Sequence, residues 1–184
     1  MAFDYPFYFL RHGETDWNKI KKAQGHLDIE LNDAGRAQAE RAGELLAGQP
    51  LERIVSSPLS RALHTAKAVA KHHQLEIQLD DGLKECHLGD MQGQHRGPWF
   101  ADYWSGDFNP PNGETFAEFS QRVWDAMRRA VALGPNTLIV AHGGLWIAAH
   151  RFTKIEPALM PMPNAVPLFI SPANGVWHHQ TLHA

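Results

Sequence analysis

The chain has little of what would mark it as a secreted, membrane or nucleic-acid-binding protein. It holds one cysteine, Cys86, which excludes an intrachain disulfide and a cysteine-built zinc site and fits a reducing compartment. No apolar run approaches the ~18–20 residues that a membrane span requires. The opening residues, Met1-Ala2-Phe3-Asp4-Tyr5-Pro6, lack the basic and apolar regions of a signal peptide. Neither charge sign dominates: 17 Lys and Arg face 20 Asp and Glu, for a net charge of −3. No global field therefore draws the chain to nucleic acid or to an anionic membrane. Internal repeats and low-complexity tracts are also lacking. These absences lead to the expectation of a cytoplasmic protein with no nucleic-acid or membrane partner. An anionic substrate would have to be held by a local cluster of positive groups.

What is present is the material of an ordinary core. The 184 residues are 43% hydrophobic and 20% charged, which fits a single domain over 1–184. Short apolar runs alternate with helical periodicity, the pattern of an α/β sheet covered by helices. Strands are expected at Phe7 to Leu10, Arg53 to Val55, Glu76 to Leu79 and Thr137 to Ala141, with a final antiparallel pair at Val166 to Ile170 and Val176 to Leu182. A helix begins at Asn32 or Asp33 and presents Ala39, Ala42, Leu45 and Leu46 before Gly48. Ser57 and Pro58 read as an N-cap and first helical residue ahead of Leu59, Ala62, Leu63, Ala66, Val69 and Ala70. Thr115 to Glu118 has capping-box spacing, and Phe116, Phe119, Val123, Ala126, Met127 and Ala130 mark a long core-facing helix. A last helix is expected at Leu145 to Phe152. The stretch 89–113, rich in Gly, Pro and aromatics, reads as an irregular lid.

Two strands end in the same manner, one at Arg11-His12-Gly13 and the other at His142-Gly143-Gly144. Ligands of open α/β sheets bind beyond the carboxyl ends of the strands, and glycine beside each histidine permits close backbone approach. If the two strands are neighbours, two imidazoles and a guanidinium converge. Ser56-Ser57-Pro58-Leu59-Ser60-Arg61 leaves another strand and opens a helix, bringing amide groups and Arg61 toward the same edge.

Arg11-His12-Gly13-Glu14-Thr15 with Trp17-Asn18 resembles the signature of the histidine phosphatase superfamily, the phosphoglycerate mutase-like fold. Gln24-Gly25-His26-Leu27-Asp28, Ser56 to Ala62, Leu83-Lys84-Glu85, Pro111 to Thr115 and Val140 to Gly144 follow in the order of that family. The resemblance covers nearly the whole chain. It implies a three-layer α/β/α sandwich around a mostly parallel sheet and a metal-independent phosphomonoester hydrolase acting on a small phosphorylated metabolite. It further implies His12 as nucleophile, Glu85 as proton donor and acceptor, and Arg11, Arg61 and His142 as the groups that stabilise transferring phosphate. Asn18, Gln24, Gly25 and Gly143 would add contacts to phosphate or substrate. No cofactor and no metal is expected.

The chemistry explains these residue types. Phosphoryl transfer spreads negative charge over three equatorial oxygens, so donors must surround them. Arginine keeps its charge and grips two oxygens at once. One ring nitrogen of His12 would attack phosphorus while a hydrogen bond to the other fixes the tautomer. A carboxyl beside a phosphate dianion has its pKa raised, as a general acid near neutral pH requires.

Alternatives stay open within and beyond the family. Phosphoglycerate mutase-type transfer competes, although only 56 residues separate Glu85 from His142, a short lid that favours entry of water. Trp99 to Arg122 is also similar to the α-ribazole phosphatase branch of cobalamin assembly, and a low-turnover phosphate-binding module is a reading from another class. Glu30 stands where relatives carry proline, and Met91-Gln92 replaces a Trp-Glu pair. His26 faces either substrate or solvent, and Glu114 serves either the site or the following helix dipole. The aromatic excursion leaves room for a homodimer. His64, His72, His73, His150, His178 and His179 lack ligand spacing and read as surface or partly buried imidazoles.

Overall fold

The computed structural model describes residues 3–157 and 161–183. Among them, in chain order, lie β1 (Phe7–Arg11), α1 (Asp16–Lys19), α2 (Asp33–Leu46), β2 (Arg53–Ser56), α3 (Ser60–His73), β3 (Ile77–Leu79), α4 (Pro98–Ser105), α5 (Phe116–Ala132), β4 (Thr137–Ala141), α6 (Gly143–Ala149), β5 (Ile155–Glu156), β6 (Leu168–Ala173) and β7 (Val176–Thr181). The strands form one sheet in the order β3-β2-β4-β1-β6-β7-β5. Pairing is parallel across β3, β2, β4 and β1 and between β7 and β5, and antiparallel where β6 meets β1 and β7. No helix of the described residues is long and apolar enough to cross a membrane.

The strands at the centre are apolar on both sides because both faces are covered. Side chains of successive residues point to opposite faces, and the core divides accordingly. Phe7, Phe9, Val55 and Ile139 join α5 and α6 in one cluster. Tyr8, Leu10, Ile54, Leu138 and Val140 join α2 and α3 in the other. Each fully buried large side chain contributes roughly 1.5–3 kcal/mol, and the two clusters together fix which way β1 and β4 face. The result is a three-layer α/β/α sandwich.

Register brings the strand ends together. Arg11 lies opposite Ala141, and Ser56 opposite Val140, so β1, β4 and β2 stop at one edge. The pairing carries one step further: the N–H of His12 donates to the Ala141 carbonyl at 3.0 Å, and that of Ser57 to the Val140 carbonyl at 3.0 Å.

Four local expectations are corrected. Helix α3 starts at Ser60, with Leu59 as an N-cap that makes no side-chain bond; the Ser57 hydroxyl is engaged with His142 instead. Helix α6 opens at Gly143, directly after His142, and ends at Ala149. The 89–113 segment is not irregular throughout, because a short 3-10 turn spans Gly89–Met91 and α4 runs between Gly97 and Gly106. Strand β7 is not the sheet edge, since β5 pairs along it. The capping box at Thr115 and Glu118 is formed as expected, its hydroxyl and carboxylate each bonding the other residue's backbone.

Candidate active site

The aligned ends of β1 and β4 set His12 and His142 side by side, with ring centroids 5.1 Å apart. Both are fully buried. His12 Nδ1 lies 2.7 Å from the Gly13 carbonyl. A carbonyl only accepts, so Nδ1 carries the hydrogen and Nε2 keeps a free lone pair. His142 Nε2 is 2.8 Å from Ser57 Oγ, while its Nδ1 has no protein partner. Burial, reinforced for His12 by Arg61 and Arg11, and for His142 by Arg61, His12 and Arg11, holds both imidazoles well below the ordinary value. Both are therefore neutral at physiological pH.

Two guanidiniums frame this pair. Arg11, at the end of β1, donates through Nη1 to the Met162 carbonyl. Arg61, in the first turn of α3, donates through Nη1 to the Leu27 carbonyl at 2.9 Å and through Nη2 to the Gly25 carbonyl at 2.8 Å. It thereby pins the 24–28 loop over the cleft. In both residues Nε is buried without a partner. Burial pushes both guanidiniums down to about 10, with the negative charge of Glu85 opposing, so both stay cationic at neutral pH. Arg61 is 1% exposed, yet among the described residues neither arginine forms an ion pair with a carboxylate. Buried charge without a counter-ion is costly. The arrangement calls for an anion from outside the chain.

Glu85 approaches from residues 83–88, termed the acid loop for the role expected of it, as residues 24–28 are termed the substrate loop. Its Oε1 accepts the Cys86 N–H at 3.1 Å and its Oε2 the Gly144 N–H at 3.2 Å, which holds the carboxylate at the N-terminal turn of α6. Asn18 gives its Oδ1 to Thr15, leaving the amide NH2 as a donor toward the cleft. The cleft is lined by Arg11, His12, Asn18, Gln24, Gly25, Arg61 and Glu85. Seven sequence-derived candidates thus meet in one place. His142 packs against His12 with its Nδ1 buried and unpartnered, and Gly143 opens α6 beside Arg11, whose Nε would lie 3.4 Å from a Cβ placed there.

The lining also holds Arg96, which sequence reasoning missed, and Phe100 and Trp104 from α4, two of the lid aromatics for which substrate, core and partner contacts were all open. The aromatics belong to the segment read as a lid, and Gly97-Pro98 with Gly106 is the start-and-stop signal that could have revealed their helix. Arg96 is a lone basic residue with no such signal. It arrives because residues 21–23 and 93–96 pair: Ala23 N–H donates to the Gln94 carbonyl, Gly93 N–H to Ala23, and Arg96 N–H to Lys21.

Three residues left open by the sequence are now placed. Glu114 is not on the lining. It forms a bidentate pair with Arg122 at 2.7 and 2.6 Å and accepts the His87 N–H at 2.8 Å. Burial raises its pKa, but the Arg122 and His87 bonds outweigh that and leave it below the ordinary value. Arg122 also donates to the carbonyls of Gly82, Lys84 and Glu85, so the pair clamps the acid loop. Gln92 Oε1 accepts the His26 N–H at 2.7 Å, tying the substrate loop to the segment behind it. Glu30 is exposed. Among the described residues, no group of three or more His, Cys, Asp or Glu side chains is arranged to hold a metal ion.

Comparison with known proteins places this geometry in a family. The sequence profile described as histidine phosphatase superfamily (branch 1) matches residues 7–178. Phosphoglycerate mutase-like protein 4 of Arabidopsis thaliana is 40% identical over 179 residues, covering 87% of this chain and 78% of that one. Glucosyl-3-phosphoglycerate phosphatase of Mycobacterium tuberculosis is 36% identical over 174 residues, covering 85% and 75%. A solved structure of the mycobacterial glucosyl-3-phosphoglycerate phosphatase with VO3 superposes with a TM-score of 0.80 at 31% identity, covering 96% of each chain.

Proposed function

The chain belongs to the histidine phosphatase superfamily and is a phosphatase, and from that premise we propose that it hydrolyses a small phosphorylated metabolite through a phosphohistidine at His12. The observation that carries the reading is the pair of arginines, the buried Arg61 and the half-buried Arg11, each with a buried, unpartnered Nε–H and, among the described residues, no carboxylate counter-ion. A phosphate dianion supplies both the charge and the acceptors.

His12 Nε2, aimed by the Gly13 bond, attacks phosphorus. The bond to the leaving oxygen breaks, and Glu85 donates the proton that this oxygen needs. In the second step Glu85 takes a proton from water as the water displaces phosphate from Nε2. Arg11, Arg61 and Asn18 stabilise the equatorial oxygens, the role that a metal ion fills in other phosphoryl-transfer sites. His142 adds the hydrogen on one of its ring nitrogens, and Ser57 holds that ring in place. Gln24 and the Gly25 backbone bound the phosphate from the substrate loop, and Gly143 adds a backbone N–H at the start of α6.

The mycobacterial relative is named for a phosphorylated sugar acid, and Arg96 with the aromatics Phe100 and Trp104 on the lining suits the organic part of a phosphate ester. Transfer of the mutase type is the second reading, favoured by the name of the Arabidopsis relative. An assay of p-nitrophenyl phosphate hydrolysis with chelator present compares the natural chain with His12→Ala. The expected result is chelator-resistant turnover that falls by more than about 10^4-fold on substitution. Turnover indifferent to His12 sinks the reading. Phosphoglycerates offered as substrate then separate hydrolysis from mutation by the product formed.

A further inference from the structure

His26 follows Gly25 in the substrate loop, where a side chain would be expected to meet the substrate or solvent. The ring is half-buried and is not part of the cleft lining. It places Nε2 2.8 Å from the carbonyl oxygen of Glu85. Since a carbonyl only accepts, Nε2 carries the hydrogen and donates it. The ring packs 4.9 Å from that of His87, two residues beyond Glu85. Its own N–H is held by Gln92 at 2.7 Å. The same Glu85 carbonyl accepts from Arg122 Nη2 at 3.2 Å. The main chain of Glu85 is therefore gripped from two sides, by Arg122 from α5 and by His26 from the loop that covers the phosphate.

We propose that His26 is a positioning residue for the proton-transfer step, its Nε2–H bond to the Glu85 carbonyl aiming the Glu85 carboxyl at the leaving oxygen and coupling that aim to the seating of the 24–28 loop. The chain of contacts is short: Arg61 holds the Gly25 and Leu27 carbonyls, His26 lies between those two residues, and Glu85 is bonded to it directly. A loop seated on phosphate thus aligns the acid, and a displaced loop misaligns it. The proposal rests on Glu85 as the general acid. Misplacing a catalytic group by about 1 Å costs up to 10^2-fold.

The leaving group separates this role from a merely structural one. A phosphate ester of p-nitrophenol departs with little protonation, whereas an alkyl phosphate needs the acid. His26→Phe keeps a ring against His87 and removes the donor. It is expected to lose roughly 10-fold or more in kcat on an alkyl phosphate and under about 3-fold on p-nitrophenyl phosphate. His26→Gln restores an N–H at similar reach and is expected to recover most of the alkyl activity. His26→Asn, whose amide is too short to reach, replaces the Phe variant if that chain does not fold, and carries the same expectation. Equal losses on both esters, no loss, or a Gln variant as poor as the Phe variant would overturn the proposal. Glu85→Gln serves as the reference: if it fails to discriminate between the esters, the acid assignment itself is wrong, while discrimination there without discrimination at His26 defeats only the role given to His26.

Discussion

The floor of the cleft is carried by three strand ends in register, whereas its roof is held by side chains that reach across loops, in one case over 66 residues of sequence. Arg11, His12, Ser57 and His142 stand where β1, β2 and β4 stop together, and pairing in the sheet decides their positions. The substrate loop and the acid loop have no sheet beneath them. Arg61, Gln92, His26 and the Glu114–Arg122 pair do that work with individual hydrogen bonds. His12 and Arg11 at the floor are thus fixed by paired strands. Glu85 sits in a loop whose neighbours Leu83, Cys86 and Leu88 are buried in the core, but no strand pairing fixes it, and its main chain is held by the hydrogen bonds of His26 and Arg122. A histidine phosphatase gains from this division, because the phosphoryl group must stay fixed while substrate enters and product leaves past the roof.

Three perturbations sharpen the contrast. The largest effect is expected where roof meets floor. A Cβ at Gly144 would come within 2.1 Å of Glu85 Oε1 and 2.8 Å of Trp104. Glu85 Oε1 ends a flexible side chain and can swing away, whereas the Trp104 ring is packed against Phe100, Tyr103, Phe116 and Phe119, so Gly144→Ala should displace Glu85 and also press on α4. Turnover of an alkyl phosphate is expected to fall by about 10^2-fold, with a loss of about 1–3 kcal/mol in thermal stability. Stability lost with turnover kept would mean that Gly144 serves packing alone. Next comes Arg122→Ala, which releases the acid loop and strips the half-buried Glu114 of its partner. It should cost about 1–3 kcal/mol in denaturant unfolding and roughly 10-fold in turnover, while binding of inorganic phosphate at the floor stays near normal. The smallest is a pH effect of the floor. The folded chain holds His12 and His142 well below 6.5, so beneath that pH the unfolded chain binds more protons. Stability is expected to fall as pH drops below about 6.5, by up to about 1.4 kcal/mol per pH unit for each imidazole. Urea midpoints of His12→Ala should show the shallower slope.

The same division explains what could be read from the sequence. Phe7 to Leu10 and Thr137 to Ala141 are continuous apolar runs that announce buried strands, and each is followed by its histidine. Local pattern was enough to locate the floor, and a known motif order was enough to name the family. The capping box at Thr115 was equally legible because its partners are three residues apart. Ser57 misled because its hydroxyl answers to His142, 85 residues on, so the helix begins at Ser60 instead. Arg96 could not be singled out, and Gln92 stood out only as a departure from the family pattern: each acts through a partner distant in sequence, and nothing next to either residue records that partner. Helix α4 was hidden for another reason. Its aromatics Trp99, Phe100, Tyr103 and Trp104 share one face, but eight residues give that stripe barely two turns, and the flanking Gly97-Pro98 and Gly106 mark its ends more plainly.

The reaction proposed for this cleft turns on a covalent bond between phosphorus and His12. The most direct measurement is to mix the chain with a radiolabelled phosphate ester, quench in alkali during turnover, and map the labelled peptide. Label is expected on the peptide that contains His12, stable to base, lost in acid, and missing from His12→Ala. Steady turnover with no labelled protein, or label on any other residue, would contradict it.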